Sequence, residues 1–273
     1  QVPKDGDKVM TVKVDLGNIG VSLATSSSGA LVAIDYNGAD LSGTQGTGVD
    51  SGTTISSTSG SNTTMSGVRV MKSYPTVAKQ TSGMSSTLIA QSGIELYRFS
   101  ITANSSGDIA LNKLVINLAT SSPSTANGTT SVKNLLVKAY TDSGFSHVVG
   151  GSYTGGQIVD TIASPVTAGD NVAVLSSPLT ITQGQTYYFK VIGDVAQVAG
   201  TTGAAGTVTT KITGDAAYPS LPGLMAAYVT GLGNFVWSPL STTTAATANL
   251  DWTNGYQITG LPAGGTDSFT LSK

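Results

Sequence analysis

The sequence predicts an all-β protein, an antiparallel sandwich of the Ig-like or Greek-key kind, built as two sandwich units. Three observations carry this expectation. Short β-prone runs recur every 8 to 12 residues, punctuated by Gly, Asp and Pro, which is the spacing of a sandwich. Among fifteen acids only Glu95 is a glutamate and the other fourteen are Asp, the turn-forming acid. Charged residues are only 10% of 273, while Ser and Thr make up about a quarter and Gly adds 34.

The elements follow in order. Lys8 to Leu16 alternates, with Met10, Val12, Val14 and Leu16 on one side, and reads as a half-buried strand. Ile19 to Ala24 and Ala30 to Tyr36 read as two more strands across a Ser-Gly turn. Residues 42–67 are nearly all Gly, Ser and Thr and read as a connector. Val68 to Met71 leads to Pro75, which marks a strand edge or bend. Ile94 to Ala103 buries Ile94, Leu96, Phe99 and Ile101 only if a bulge shifts its phase after Tyr97. Ile109 to Ala119 follows a clear turn and forms a hairpin or meander with it. Further strands are expected at Val132–Tyr140, His147–Gly150, Gln157–Ile162, Asn171–Leu175, Leu179–Thr182, Thr186–Val195, Gly206–Ile212 and Asp267–Leu271. Gly223 to Val229 is the one stretch suited to a helical turn. The expected organisation is thus a β-segment or small β-domain over 1–41, a connector over 42–67, the main sandwich over 68–220, and C-terminal strands with a Trp-containing tail over 221–273.

Composition excludes several function classes. Net charge is −2 with no run of either sign, so there is no basic footprint for nucleic acid or an anionic membrane. No stretch of 18 apolar residues occurs, so no span is expected. There is no cysteine, hence no disulfide framework. Opening at Gln1 rather than Met reads as a processing boundary, or as the edge of an expressed piece, with a leader already removed.

Three segments are distinctive: Lys72-Ser73-Tyr74-Pro75-Thr76, then Leu96-Tyr97-Arg98-Phe99 followed by Gly107-Asp108-Ile109-Ala110-Leu111, and a C-terminal pattern. The last runs Phe235-Val236-Trp237-Ser238-Pro239, Asp251-Trp252-Thr253-Asn254-Gly255-Tyr256, then Gly260-Leu261-Pro262. Together they resemble a family of secreted, S-layer-like surface proteins of candidate-phyla bacteria, over about Met65 to Lys273. The resemblance implies a cell-envelope location and a surface-layer role, and it supplies no catalytic residues. It also makes structural Ca²⁺ worth weighing, with Asp5, Asp7 and Asp108 as weak candidates, although neither turn has the full calcium-loop spacing.

Other chemistry is weighed residue by residue. His147 is the single histidine and would have to centre any Ser-His-Asp triad or zinc site; an exposed strand-edge histidine is the plainer reading. The acids are scattered singly through turns, unlike the paired carboxylates of a glycosidase. The Gly-Gly pairs lack the strand-to-helix context of a phosphate loop. Asn62, Asn104 and Asn127 fit the N-x-S/T pattern that short Ser/Thr-rich chains match by chance. Glu95 could promote a Lys–Asn isopeptide or simply face solvent. Trp237, Trp252 and Tyr256 could form a sugar-stacking platform, but core or subunit-contact anchors are commoner roles for Trp. The expected function is a structural subunit of an extracellular, self-assembling layer or filament, with copies of itself as partner, no cofactor and no enzymatic activity. Met10, Val12, Val14 and Leu16 would add a strand to a neighbour or pair within their own unit; Thr266 to Leu271 is a weaker donor. The alternative is a cell-surface adhesin or carbohydrate-binding module engaging cell-envelope glycans.

Overall fold

A computed structural model of the chain describes residues 1–3, 6–15, 19, 28–121, 130–162, 166, 168–196, 206–218, 224–241 and 250–273. Strands β1 (Ala30–Val32), β2 (Gln45–Thr47), β3 (Thr54–Ser56) and β4 (Val68–Val70) are short. The longer ones are β5 (Pro75–Lys79), β6 (Ile94–Ala103), β7 (Ile109–Ser121), β8 (Ser131–Tyr140), β9 (Gly169–Ile181), β10 (Thr186–Ala196) and β11 (Thr207–Ile212). Then come β12 (Val236–Ser238) and β13 (Phe269–Ser272), after a single α-turn (Met225–Ala227) that continues as a π-turn (Tyr228–Leu232).

Two antiparallel sheets face each other. One has the order β5-β6-β10-β8; the other runs β7-β11-β13, with β12 also on the β11 side of β7 and β9 on its far side. With β5 as A, β6 as B, β7 as C, β8 as D, β10 as E, β11 as F and β13 as G, these are the A-B-E-D and C-F-G sheets of an Ig-like sandwich. The expected all-β antiparallel sandwich is the observed fold class. Ile94–Ala103 and Ile109–Ala119, however, expected as one hairpin or meander, lie in opposite sheets as β6 and β7, because the turn between them crosses from one sheet to the other. No helix among the described residues is long and apolar enough to cross a membrane.

Side-chain phase explains the packing. In β6, Tyr97, Phe99 and Ile101 point into the core, while the register slips opposite Val191/Ile192 so that Leu96 is buried as well. The bulge required by the sequence is there, one residue earlier than the phase suggested. Phe99 lies opposite Phe189 of β10, their rings nearly parallel with centroids 4.8 Å apart. β7 is bulged at Asn112, which divides its inward residues into Ile109/Leu111 and Leu114/Ile116/Leu118. The buried Tyr97 hydroxyl donates to the Asp267 carbonyl, 2.7 Å away, and ties the first sheet to the chain entering β13. On the outer face of β7, Ala110 meets Tyr228, Val236, Leu240 and Trp252 in a second, smaller core. The α-turn and Trp252 therefore form a third layer over the second sheet, and residues 224–241 and 250–273 are bound into the body through β12 and β13.

Much of each sheet edge is occupied by the chain itself. Thr259 bridges β5, residues 148, 157 and 162 bridge β8, Val159 bridges β9, and Thr87 runs beside β13. Pro75 opens edge strand β5, where no ladder donor is lost. Gly260 has φ +81°, and a Cβ there would lie 1.7 Å from the Val77 carbonyl, so only glycine lets this loop cross β5 so closely. The outer edge of β9 over residues 169–173 has no strand partner among the described residues.

The N-terminal quarter differs from expectation. β1 pairs with β4 and β2 with β3, giving two two-stranded ribbons, and most side chains from 42 to 67 are exposed. Residues 8–15 form no strand: Met10, Val12 and Val14 are 82%, 54% and 53% exposed. The alternation is real, but a strand exists only against a partner, and the described chain offers this one none. Leu16 and most of Ile19–Ala24 lie outside the described residues. Two expected strands over 171–175 and 179–182 are one continuous strand, β9, with a slip in its pairing to β7. His147–Gly150 and Gln157–Ile162 make isolated bridges rather than strands.

Candidate functional site

Two of the three distinctive segments, Lys72–Thr76 and the C-terminal pattern, contribute to the lining of one groove of about 830 Å³. The β1–β4 ribbon contributes Leu31, Val68 and Arg69; the chain entering β5 contributes Met71 and Tyr74; the body contributes Tyr218, Trp237 and Tyr256, with Gln257 at the mouth. Ser73 Oγ donates to the Gly107 carbonyl at 2.6 Å, and Lys72 Nζ to the Leu240 carbonyl at 3.0 Å. These bonds fix the Lys-Ser-Tyr-Pro run against Gly107 of the second distinctive segment and against the residue that follows Pro239, and Tyr74, 48% exposed, lies at the groove. The Arg69 guanidinium stacks 3.9 Å above the Tyr218 ring and donates from Nη1 to the Gly29 carbonyl. Burial pushes the Tyr218 pKa up, keeping its hydroxyl neutral. Gln257 has φ +59°, a left-handed backbone uncommon outside glycine.

Behind the groove a buried carboxylate organises the tail. Asp215 accepts three backbone N–H bonds, from Asn234 at 2.8 Å, Phe235 at 3.1 Å and Gly255 at 2.8 Å. Asn254 donates its amide to the Ala217 and Leu232 carbonyls, and Trp237 Nε1 donates to the Asn254 carbonyl at 2.7 Å. Lys113, buried on the outer face of β7, donates to the Val229 carbonyl at 2.8 Å. Its burial lowers its pKa, and the Asp215 charge opposes that shift. The C-terminal pattern is thus a structural knot that shapes one side of the groove. Asp215 carried no sequence signal, because its partners lie 19 to 40 residues away.

The sequence-derived candidates distribute as follows. Trp237 and Trp252 are 2% and 0% exposed within the single chain, Trp237 in the main core and Trp252 in the smaller one. Neither indole face is open to a sugar or to a second subunit, so the proposed Trp platform does not form; of that trio only Tyr256 reaches the groove mouth. β13 pairs with β11, so the segment Thr266 to Leu271 is already used inside the body. Met10, Val12 and Val14 stand together on the exposed arm.

Asp108 Oδ1 accepts the Gln183 N–H at 2.8 Å, the ordinary work of a turn aspartate. Asp7 is exposed, Asp5 lies outside the described residues, and no cluster of three or more metal-ligating acids or histidines occurs among the described residues. His147 is exposed beside Asp142 and Ser146, yet the grouping is not a triad. Ser146 Oγ and Asp142 Oδ2 approach the same ring nitrogen, Nδ1, at 3.2 and 3.3 Å, whereas proton relay needs them on opposite nitrogens. Asp142 instead caps a turn: N–H bonds from His147 and Ser146 help to bring its pKa down to about 2.

Glu95 is partly buried in an ion-pair cluster, and no asparagine is among its hydrogen-bond partners. It accepts from Lys190 Nζ at 2.5 Å and pairs with Arg98, while Phe145 covers both cations. Burial raises its pKa, but the bonds from Lys190 and Arg98 outweigh burial and hold it below the ordinary value. No protein-family model and no curated protein sequence matches this chain.

Proposed function

We propose that this chain is a structural subunit of an extracellular, self-assembling surface layer or filament, without enzymatic activity. The observation that carries the reading is the contrast between a body whose sheets are largely closed by their own loops and an apolar, alternating arm with no strand partner among the described residues. Val9, Met10, Val12 and Val14 stand in solvent. Such an arm is costly in a chain that stays single, because it exposes apolar surface and unpaired backbone together. The reciprocal feature is the outer edge of β9, where residues 169–173 lack a strand partner among the described residues and Val172 and Val174 are exposed. Adding residues 9–14 of one copy to this edge of the next would pair both sets of backbone groups and cover Val172 and Val174. A contact between two different surfaces can repeat head to tail, and where its rotation does not close a ring it propagates as an open filament. The charge balance agrees: only 10% of residues are charged, so neighbouring hydroxyl-rich surfaces meet without stranded ions. The resemblance of the distinctive segments to secreted surface proteins supports the location. Negative-stain microscopy and sedimentation of the purified chain test the reading: ordered fibres or arrays are expected, and a dispersed monomer at all concentrations contradicts it.

A further inference from the structure

We infer that the groove between the β1–β4 ribbon and the body is a binding site for an oligosaccharide bearing an acidic group. This is a second activity, independent of the arm and the β9 edge. The groove, about 830 Å³, is large enough to hold a small ligand. Three tyrosines, Tyr74, Tyr218 and Tyr256, border it. Tyr74 and Tyr256 offer a flat apolar face to the C–H side of a sugar ring and a hydroxyl to its rim, while Tyr218, its hydroxyl buried and one face covered by Arg69, only shapes the wall. Gln257 projects at the mouth, and its carboxamide is hydrogen-bonded to none of the described residues.

The charge in the groove selects among sugars. Its lining contains no carboxylate, and it contains the guanidinium of Arg69. The ion pairs among the described residues are Arg98–Glu95, Lys190–Glu95 and His147–Asp142, so Arg69 has no carboxylate partner there. Stacking on Tyr218 holds the guanidinium in place, and one bond to the Gly29 carbonyl leaves other N–H donors for a ligand carboxylate. In a chain of net charge −2, this is a fixed positive site in an uncharged setting.

An extended peptide fits less well. The body edges beside the groove are occupied, since Val77 N–H bonds to the Thr259 carbonyl and Trp237 and Thr253 exchange both backbone bonds. A strand laid there would find no ladder on the body side, so recognition must come from side chains, as it does for sugars.

The test is titration calorimetry of the full chain with a galacturonate trisaccharide and with maltotriose as the neutral probe. The acidic trisaccharide is expected to bind at least about ten-fold more tightly than maltotriose. Tyr74→Ala, at an exposed position that leaves the fold intact, is expected to weaken it by about ten-fold or more. Arg69→Gln is expected to remove the preference for the acidic sugar, while Arg69→Lys keeps part of it. Absence of binding by either sugar at millimolar concentration overturns the assignment, and so does equal affinity for the two. If Tyr74→Ala leaves sugar binding unchanged but abolishes assembly in sedimentation, the groove is a subunit contact and the inference is wrong. Assembly measured on the same samples separates this outcome from failure of the structural-subunit reading.

Discussion

The body from β5 onward and the N-terminal segment from Val9 to Val14 have similar apolar content locally, but opposite fates. In β10 the alternating residues Phe189, Val191 and Val195 are buried against a facing sheet. In the arm Met10, Val12 and Val14 alternate just as regularly and remain in solvent. The difference lies in what surrounds each strand, since a period of two states which side would be buried and not whether anything is there to bury it. The contrast teaches that alternation makes a strand only where a partner is present: the body supplies its own, and under the proposed function the arm would take one from a second copy.

Substitutions sharpen this contrast, and the largest effects belong in the body. Trp252→Ala should cost about 3–5 kcal/mol in chemical denaturation, because the fully buried indole anchors the layer over β7. Met10→Ser in the arm should change monomer stability by less than about 0.5 kcal/mol. A comparable loss from both would erase the distinction between the regions. Asp215→Ala comes next, at about 3 kcal/mol, since three backbone N–H groups lose one charged acceptor in a buried setting. Gly260→Ala should cost about 2 kcal/mol or more, from its positive φ and from the Val77 carbonyl that a Cβ would strike. Thermal melts of the two variants check both values.

How much of this was legible in the sequence depends on range. The β6 bulge could be read because the phase of ten consecutive residues demanded it, and Pro75 marked an edge because one missing donor is a local fact. The closure of the edges by Thr259, Val159 and Thr87 could not be read, because isolated bridges leave no periodic trace. The same holds for the groove, whose tyrosines are distant in sequence and whose shape depends on Asp215 and Asn254. The two tryptophans stood out as anchors, but their placement in separate cores required the β7 bulge at Asn112.

A smaller effect concerns acid. Glu95 is held below its ordinary pKa by Lys190 and Arg98, so its contribution is complete above the unfolded value, about 4.3, and is lost as pH falls through the lower folded value. The stability of the natural chain and of Glu95→Gln should therefore converge as pH falls below about 4. A constant difference between them down to pH 2 would show that the contact acts through packing against Phe145 rather than through charge.

In the proposed assembly, copies join through the arm. The direct measurement is sedimentation velocity, with negative-stain microscopy, of the full chain beside the variant carrying Met10→Ser, Val12→Ser and Val14→Ser. The expected result is large ordered assemblies from the full chain and a monomer of unchanged melting temperature from the triple variant. Assemblies that survive the triple substitution, or a triple variant that unfolds as a monomer, would contradict it.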